Sequence, residues 1–561
     1  MAQERPWIQH YPKEIPDTFD YEEKPLHSYL LENGSSSKEK KALHFMGKEM
    51  TYSEVSRESR KLASFLQSKG LKKGDRVAIM LPNTPQAVIA YYGILIAGGV
   101  VVQVNPLYTE RELEHQLKDS GATCIVCLDI MLPRVEKVKE KCKLKHVIVT
   151  RIADYLPFPK NLIYPFIQKK QYNIVVKVQE DEQTHIWKNI IESASEDVEV
   201  VEIDPKEDVA LLQYTGGTTG RPKGVMLTHY NLVSNTQMCQ NWMYKLKGGD
   251  EVVLGVLPFF HVYGMTTVMN ISVMYSYKMI LLPNFKPEDV LKAIQKHKPT
   301  LFPGAPTMYI GLVNHPDISK YDLSSIQACI SGSAALPVEV QQRFEQLTKG
   351  KLVEGYGLTE SSPVTHANFI WHKRVNGSIG VPWPDTDAMI VEEGTLNPLP
   401  LGEVGEVAVK GPQVMKGYWN NEEATNKTLK DGWLLTGDMG KMDEDGFFYI
   451  VDRKSDMIIA SGFNVYPREV EEVLYEHPEI VEASVIGIPD DYRGETIKAV
   501  LVTKGNKKLS EKELDQYCRK HLAAFKVPRI YEFREELPKT IVGKVLKRQL
   551  IDETLKEKQS N

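Results

Sequence analysis

Between Tyr214 and Val225 the chain reads Tyr-Thr-Gly-Gly-Thr-Thr-Gly-Arg-Pro-Lys-Gly-Val. Gly216, Gly217, Gly220 and Gly224 fall within nine residues, among the hydroxyls of Thr215, Thr218 and Thr219 and the cation of Lys223. Glycine carries no Cβ, so successive backbone N–H groups can turn toward a close anion. Such a loop suits a polyphosphate. It is not a Walker loop, because Lys223 lacks both the spacing and the following Ser/Thr. The plainer alternative is a flexible surface turn. The apolar run 209–214 that feeds the loop reads as a buried strand and argues against that alternative.

Further along, Glu354-Gly355-Tyr356-Gly357-Leu358-Thr359-Glu360 sets an aromatic between two glycines. That arrangement suits a ring stacked on adenine, and Thr359 and Glu360 offer oxygen to Mg²⁺, a hard cation. The small residues Ser331-Gly332-Ser333-Ala334-Ala335 follow a strand-like run and leave room for a flat base or an acyl carbonyl. Asp438, in Leu435-Thr436-Gly437-Asp438, is either a turn residue or a partner for ribose hydroxyls. Leu257-Pro258-Phe259-Phe260-His261-Val262-Tyr263-Gly264 sets one histidine in an apolar run, ordinarily a core position. The Met-, Val- and Tyr-rich stretch 265–277 behind it reads as a core helix or as a yielding wall for an alkyl chain.

Elements must hold these groups in place. Thr51-Tyr52-Ser53-Glu54 and Thr109-Glu110-Arg111-Glu112 read as capping boxes opening helices, the first ending near Gly70. Runs 76–81, 100–104 and the stretch around Cys124 are strand-like, with a helix over 85–97. Strands alternating with helices predict parallel sheet layers, hence an α/β protein. Asp445-Gly446 reads as a hairpin turn. With 561 residues, at least two domains are expected.

Composition narrows the function. A net charge of −5 argues against a dedicated nucleic-acid binder. Residues 1–17 are polar and proline-rich, so no secretory signal is expected, and no run is long and apolar enough to span a membrane. The six cysteines are sparse. Cys124 and Cys127 have a CxxC spacing without a second pair, so buried reduced thiols in a cytoplasmic protein are expected. Residues 155–178 mix large apolar side chains with Lys160, Lys169, Lys170 and Lys177. Such a segment can rest on an anionic membrane at its inner face or pack as a surface excursion. Pro157, Pro159 and Pro165 argue against one long amphipathic helix there.

The glycine loop resembles the signature loop of the adenylate-forming superfamily of acyl-CoA synthetases, luciferases and peptide-synthetase adenylation domains. Residues 354–360, 435–438, 449–456, 459–471 and 537–548 resemble its further motifs in order, and the overall likeness is strongest to bacterial long-chain fatty-acid–CoA ligases. The resemblance implies a large N-terminal domain, 1–454, of layered, mostly parallel sheets with helices and a small distorted β-barrel-like part. It implies a small mobile α+β C-terminal domain, 455–561. It assigns ATP or AMP to Thr215–Gly220, Lys223, Gly332, Ser333, Ala334, Glu354, Gly355, Tyr356, Gly357, Thr359, Asp438, Tyr449 and Arg453. Mg²⁺ falls to Thr215 and Glu360. The acyl group falls to His261, Val262, Tyr263, Gly264 and Gly332, and the CoA channel to Gly462 and Phe463. Arg453, Lys454 and Ser455 form the hinge, with Ser455 where the family usually has Asp or Lys, and Lys544 is the mobile catalytic lysine.

The activity implied is AMP-forming ligation of a fatty acid to CoA at the expense of ATP. Medium-chain or aryl acids, or transfer to a carrier protein, are the alternatives. No Asp lies near 257–265 to pair with an amino acid's ammonium, which favours a fatty acid. A homodimer is left open.

Overall fold

The computed structural model describes residues 5–172, 176–215, 222–246, 248–453, 456–460, 463–490, 494–507, 509–540 and 543–560. Its largest sheet has eight strands, in the order Gly417–Tyr418, Gly224–Thr228, Val209–Tyr214, Val100–Gln103, Arg76–Met80, Cys124–Leu128, His146–Thr150 and Thr184–Ile186. From Val209–Tyr214 onward the strands run parallel. Val100–Gln103 and Cys124–Leu128 are buried at every position, which is why 100–102 and 124–128 read as unbroken apolar runs rather than alternating ones.

Two four-stranded sheets make a second layer. One is ordered Val252–Gly255, Lys278–Leu281, Lys41–Phe45, Lys48–Thr51, and the other Ala328–Ser331, Lys351–Gly357, Val364–Ala367, Val381–Pro382. Leu301 bridges them, pairing with Val253 on one side and Ala328 on the other. Between the layers lies the helix Pro85–Ile96, buried at every residue. Its sequence is apolar all round, as a helix covered on all sides must be. Thr84 caps it, accepting from the Ala87 N–H. One buried cluster joins Val77 and Ile79 of the first layer, Val88 and Leu95 of this helix, and Leu43 and Met279 of the second layer. Both expected capping boxes are present, at Thr51/Glu54 and Thr109/Glu112.

An antiparallel sheet follows, with Trp433–Met442 paired to both Gly405–Lys410 and Phe448–Arg453. The turn between Trp433–Met442 and Phe448–Arg453 contains Asp445-Gly446, and Gly446 takes a φ of +82°. The chain closes with a five-stranded sheet spanning Ile458–Ala460 to Ile530–Phe533. Its helices Pro467–Tyr475 and Glu511–His521 contribute Val470 and Leu514 to a separate core.

Two stretches show detail beyond the sequence pattern. Residues 152–155 form a 3₁₀ turn, and a helix then runs Lys160–Tyr172 straight past Pro165. Pro157 and Pro159 mark the break before this helix, whereas Pro165 does not end it. A proline costs its own N–H and the bond to the carbonyl four residues back. On a helix this exposed, water can take that carbonyl. The apolar stretch behind His261 is also no plain helix, because Met265–Asn270 is π-helical between short α-helical pieces.

Candidate active site

Thr215 sits where the buried strand Val209–Tyr214 ends, and its N–H donates to the Lys223 carbonyl at 3.1 Å. The Lys223 ammonium lies 4.1 Å from the Tyr418 ring centroid. The Tyr418 hydroxyl in turn donates to Glu360 Oε1 at 2.8 Å. Tyr418 therefore ties the far side of the glycine loop to the carboxylate at the end of the Tyr356 motif. It reaches this point because Gly417–Tyr418 adds an edge pairing to Gly224–Thr228, with Tyr418 opposite Val225. Gly216, Gly217, Thr218, Thr219 and Gly220 lie outside the described residues, as do Lys454, Ser455 and Gly462.

Thr359 and Glu360 occupy a 3₁₀ turn directly after the strand Lys351–Gly357. Gly357 must be glycine, since a Cβ there would stand 2.0 Å from the Pro363 carbonyl oxygen. The Tyr356 hydroxyl donates to Asp438 Oδ2 at 2.6 Å, and Arg453 Nε faces Asp438 Oδ1 at 3.6 Å. Antiparallel register sets Asp438 opposite Arg453. Tyr449, four residues before Arg453, instead donates its hydroxyl to Asp443 in the adjoining turn.

Lys544 joins this group from the other end of the chain. The Thr540 N–H donates to the Lys544 carbonyl at 2.7 Å, and the Lys544 N–H donates to Thr540 Oγ1 at 3.1 Å. Burial, reinforced by the Arg453 charge, pulls the Lys544 ammonium down to about 8, against the opposing pull of Asp456 and Asp438. The same ammonium acts on His261, whose imidazole is held down at about 4, chiefly by burial and secondarily by Lys544. His261 is thus a neutral ring, and its Nδ1 accepts the Tyr263 N–H at 3.2 Å. The preceding residue, Gly543, has a φ of +79°, and a Cβ on it would fall 1.9 Å from Thr307 Oγ1. Only glycine lets the Lys544 turn seat against the helix Pro306–Val313.

The residues that the resemblance assigns to the acyl group pack together. Tyr263 donates its hydroxyl to the Ile330 carbonyl at 2.7 Å, and a Cβ on Gly332 would touch the Tyr263 ring at 3.0 Å. Gly264 packs against the Leu257 and Pro258 carbonyls, and Val262 is buried beside it. Ser333 takes a φ of +75°, a strained value for a residue with a side chain, and Ser333 and Ala334 are exposed at the rim. Beneath lies a cavity walled by Cys239, Met243, Thr267, Ile271, Leu301, Pro303, Ala328 and Ile330. Thr267 belongs to the π-helical stretch, an irregularity often found where helices meet ligands. Phe463 opens the short strand Phe463–Val465.

Residues 30–419 match the model of the AMP-binding enzyme family, and residues 469–544 that of the AMP-binding enzyme C-terminal domain. The chain belongs to the AMP-binding enzyme family. It is 56% identical over 554 residues to the long-chain-fatty-acid–CoA ligase of Bacillus subtilis (strain 168), covering 99% of both chains. It is 36% identical over 504 residues to a probable 4-coumarate–CoA ligase 1 of Dictyostelium discoideum, covering 88% of each. Among solved structures, ATP-bound MatB from Rhodopseudomonas palustris is 29% identical over 95% of this chain and 99% of its own, with a TM-score of 0.83. The apo form of MatB, with the same identity and coverage, gives 0.73.

Sequence reasoning missed Tyr418, Thr307 and Arg468. The two-residue strand that carries Tyr418 is too short to leave a periodic signal. Thr307 matters only through its contact with a glycine more than two hundred residues away. Arg468 lies inside the stretch 459–471, but nothing in that stretch shows that Glu354, from a distant motif, is its partner.

Proposed function

We propose that this chain is an ATP-dependent long-chain fatty-acid–CoA ligase that forms acyl-AMP with release of pyrophosphate and then passes the acyl group to CoA. The end-to-end likeness to the Bacillus subtilis ligase carries this reading. The grouping of Lys544, Arg453, Asp438 and Tyr356 supports it.

In the first half-reaction a carboxylate oxygen of the acid bonds to the α-phosphorus of ATP. The bond from that phosphorus to the β-bridging oxygen breaks, and pyrophosphate leaves with the electron pair. Both reactants are anions, so the site must supply positive charge. Lys544 bridges carboxylate and α-phosphate where charge builds in the transition state. Lys223 and the loop amides hold the departing phosphates, and Asp438 and Arg453 engage the ribose side. Thr215 and Glu360 would hold Mg²⁺. One hydroxyl and one carboxylate suit an ion that takes its remaining oxygens from phosphate and water. When bound, the ion neutralises phosphate charge. His261, being neutral, borders the acid without competing for its charge.

In the second half-reaction the CoA sulfur bonds to the acyl carbonyl carbon, AMP leaves, and the thiol proton passes to solvent. Lys544 would obstruct the thiol. A C-terminal domain, 455–561, therefore turns on Arg453–Ser455 against a domain of residues 1–454 and presents Gly462 and Phe463 in its place. The fuller superposition on ATP-bound than on apo MatB supports the present pose as that of the first half-reaction.

The alkyl chain enters past Tyr263 and Gly332 toward the cavity between Cys239 and Ile330, which at about 20 Å³ must widen to admit it, and each methylene buried there contributes about 0.8 kcal/mol. No described helix is long and apolar enough to cross a membrane. The ligase works in the cytoplasm and touches the inner face of the membrane through 155–178. Six buried free thiols and the exposed apolar face of Lys160–Tyr172 favour this placement.

The test is acid-dependent formation of AMP and thioester from Mg-ATP and CoA, over acids from acetate to oleate plus coumarate. Acyl-CoA output rising through the long chains is the expected result. AMP without acyl-CoA, or a maximum on coumarate, would overturn it.

A further inference from the structure

Glu354 has both carboxylate oxygens engaged, and only one of them by its own domain. Oε2 accepts the Leu336 N–H at 3.3 Å, just beyond the small-residue turn at Gly332. Oε1 faces Arg468 Nη2 at 3.4 Å, and Arg468 stands at the start of the helix Pro467–Tyr475 in the C-terminal unit. Neither partner is at the surface, since the Glu354 side chain is 7% exposed and that of Arg468 15%. Arg468 is itself held in place. Its N–H donates to Asp452 Oδ2 at 2.8 Å and its Nε to Glu472 at 3.1 Å. Asp452 adjoins Arg453, whose N–H donates to the other Asp452 oxygen at 2.7 Å. Lys547 pairs with Glu471 at 2.9 Å on the same helix and stabilises the Asp452 charge.

A carboxylate this deep is costly without a cationic partner, and burial already pushes the Glu354 carboxyl up against the opposing pull of Arg468. The partner comes from the unit that carries Lys544. With Lys544 beside Arg453 and Gly543 seated on Thr307, Arg468 reaches Glu354. A rotation that withdraws Lys544 takes the helix Pro467–Tyr475 with it and leaves Glu354 alone. The pair therefore has a differential energy between the two poses, which is what a positioning contact requires.

We propose that Arg468 is a positioning residue for adenylate formation: paired with buried Glu354, it latches the C-terminal unit in the pose that delivers Lys544. Through Leu336, Glu354 couples the latch to the turn that borders the acyl-adenylate. The proposal rests on the two-pose reading of the ligase and adds to it the contact that sets the balance.

The test separates the half-reactions in Arg468→Met, Arg468→Lys and Lys544→Ala. Acid-dependent pyrophosphate release reads the first step, and CoA-dependent consumption of supplied acyl-adenylate reads the second. Loss of a hydrogen bond to a buried charge predicts that Arg468→Met slows the first step by about tenfold to about a hundredfold. The second step should hold or rise, and Arg468→Lys should recover part of the loss. If Arg468→Met proves unstable, the ratio of the two steps in Arg468→Lys decides the matter. Equal losses in both steps, or none in either, would overturn the latch. If Lys544→Ala also failed to separate the steps, the two-pose reading itself would fall. Separation by Lys544→Ala but not by the Arg468 variants would sink the latch alone.

Discussion

In the proposed role Lys544 would be useful only while charged, and its surroundings set how long that lasts. Burial and the neighbouring Arg453 bring its ammonium from the ordinary lysine range to about 8. A lowered lysine is cationic below that value and neutral above it, so the charge needed between two anions is lost as pH rises through 8. The pH dependence of kcat/KM reports the free enzyme. We expect kcat/KM for pyrophosphate release to fall on the alkaline side of about pH 8, with no such limb for thioester formation from supplied acyl-adenylate. A flat profile through pH 9 in the first step would contradict this. Replacing Lys544 by Ala should cost the first step about a hundredfold to a thousandfold, as losing a transition-state charge partner does. The sequence singled out Lys544 by the resemblance of its motif, not through its chemistry. Its lowered pKa comes from burial and, after it, from Arg453, neither visible in a basic tail.

At the scale of elements, the strands and capped helices were legible because their signals are local. Residues 100–102 and 124–128 are apolar because they are covered on both faces, and Thr51 and Thr109 show their cap partners three residues on. The π-helical stretch Met265–Asn270 was not legible, because a run buried on all sides carries no periodicity to reveal an extra residue per turn. The prolines break the segment as their pattern implies, at Pro157 and Pro159, and only Pro165 is carried inside the helix Lys160–Tyr172, where water can take the freed carbonyl. The π stretch matters for specificity. It contributes Thr267 to the cavity wall, along with Cys239 and Ala328. Cys239→Phe would more than fill that space of about 20 Å³ and block its widening. Each methylene excluded from the wall costs about 0.8 kcal/mol, so the preferred acid should become shorter by several carbons. Overpacking should also cost about 1–3 kcal/mol of stability. The check is the ratio of kcat/KM for palmitate to that for octanoate, with thermal unfolding followed in parallel. An unchanged ratio in a folded variant would remove the cavity from the acyl path.

For the whole molecule, the distribution of charge and apolar surface is uneven. The chain is acidic overall, yet residues 155–178 contain four lysines and no carboxylate. On and just before the helix Lys160–Tyr172, Phe158 is 79% exposed, Phe166 75% and Leu162 61%, with Ile163 and Ile167 half-exposed. Positions 162, 163, 166 and 167 share one helical face. A face this apolar is costly in water, and its lysines complement an anionic headgroup layer. A bilayer also holds the long-chain acid that the ligase consumes, so docking there would shorten the path from lipid to cavity. Basic residues near such a surface contribute about 1 kcal/mol each, and inserted apolar area about 25 cal/mol per Å². Both terms are needed for stable binding, which predicts a dependence on lipid charge as well as on the aromatic side chains. Flotation with phosphatidylglycerol-containing vesicles should recover the protein, and pure phosphatidylcholine vesicles should recover much less. The double variant Phe158→Ser, Phe166→Ser should lose flotation while ligating soluble octanoate at the original rate. Equal recovery on both vesicle types, or flotation unchanged in the double variant, would refute docking through this face. A change in oligomeric state with flotation intact would show that a second copy covers it instead.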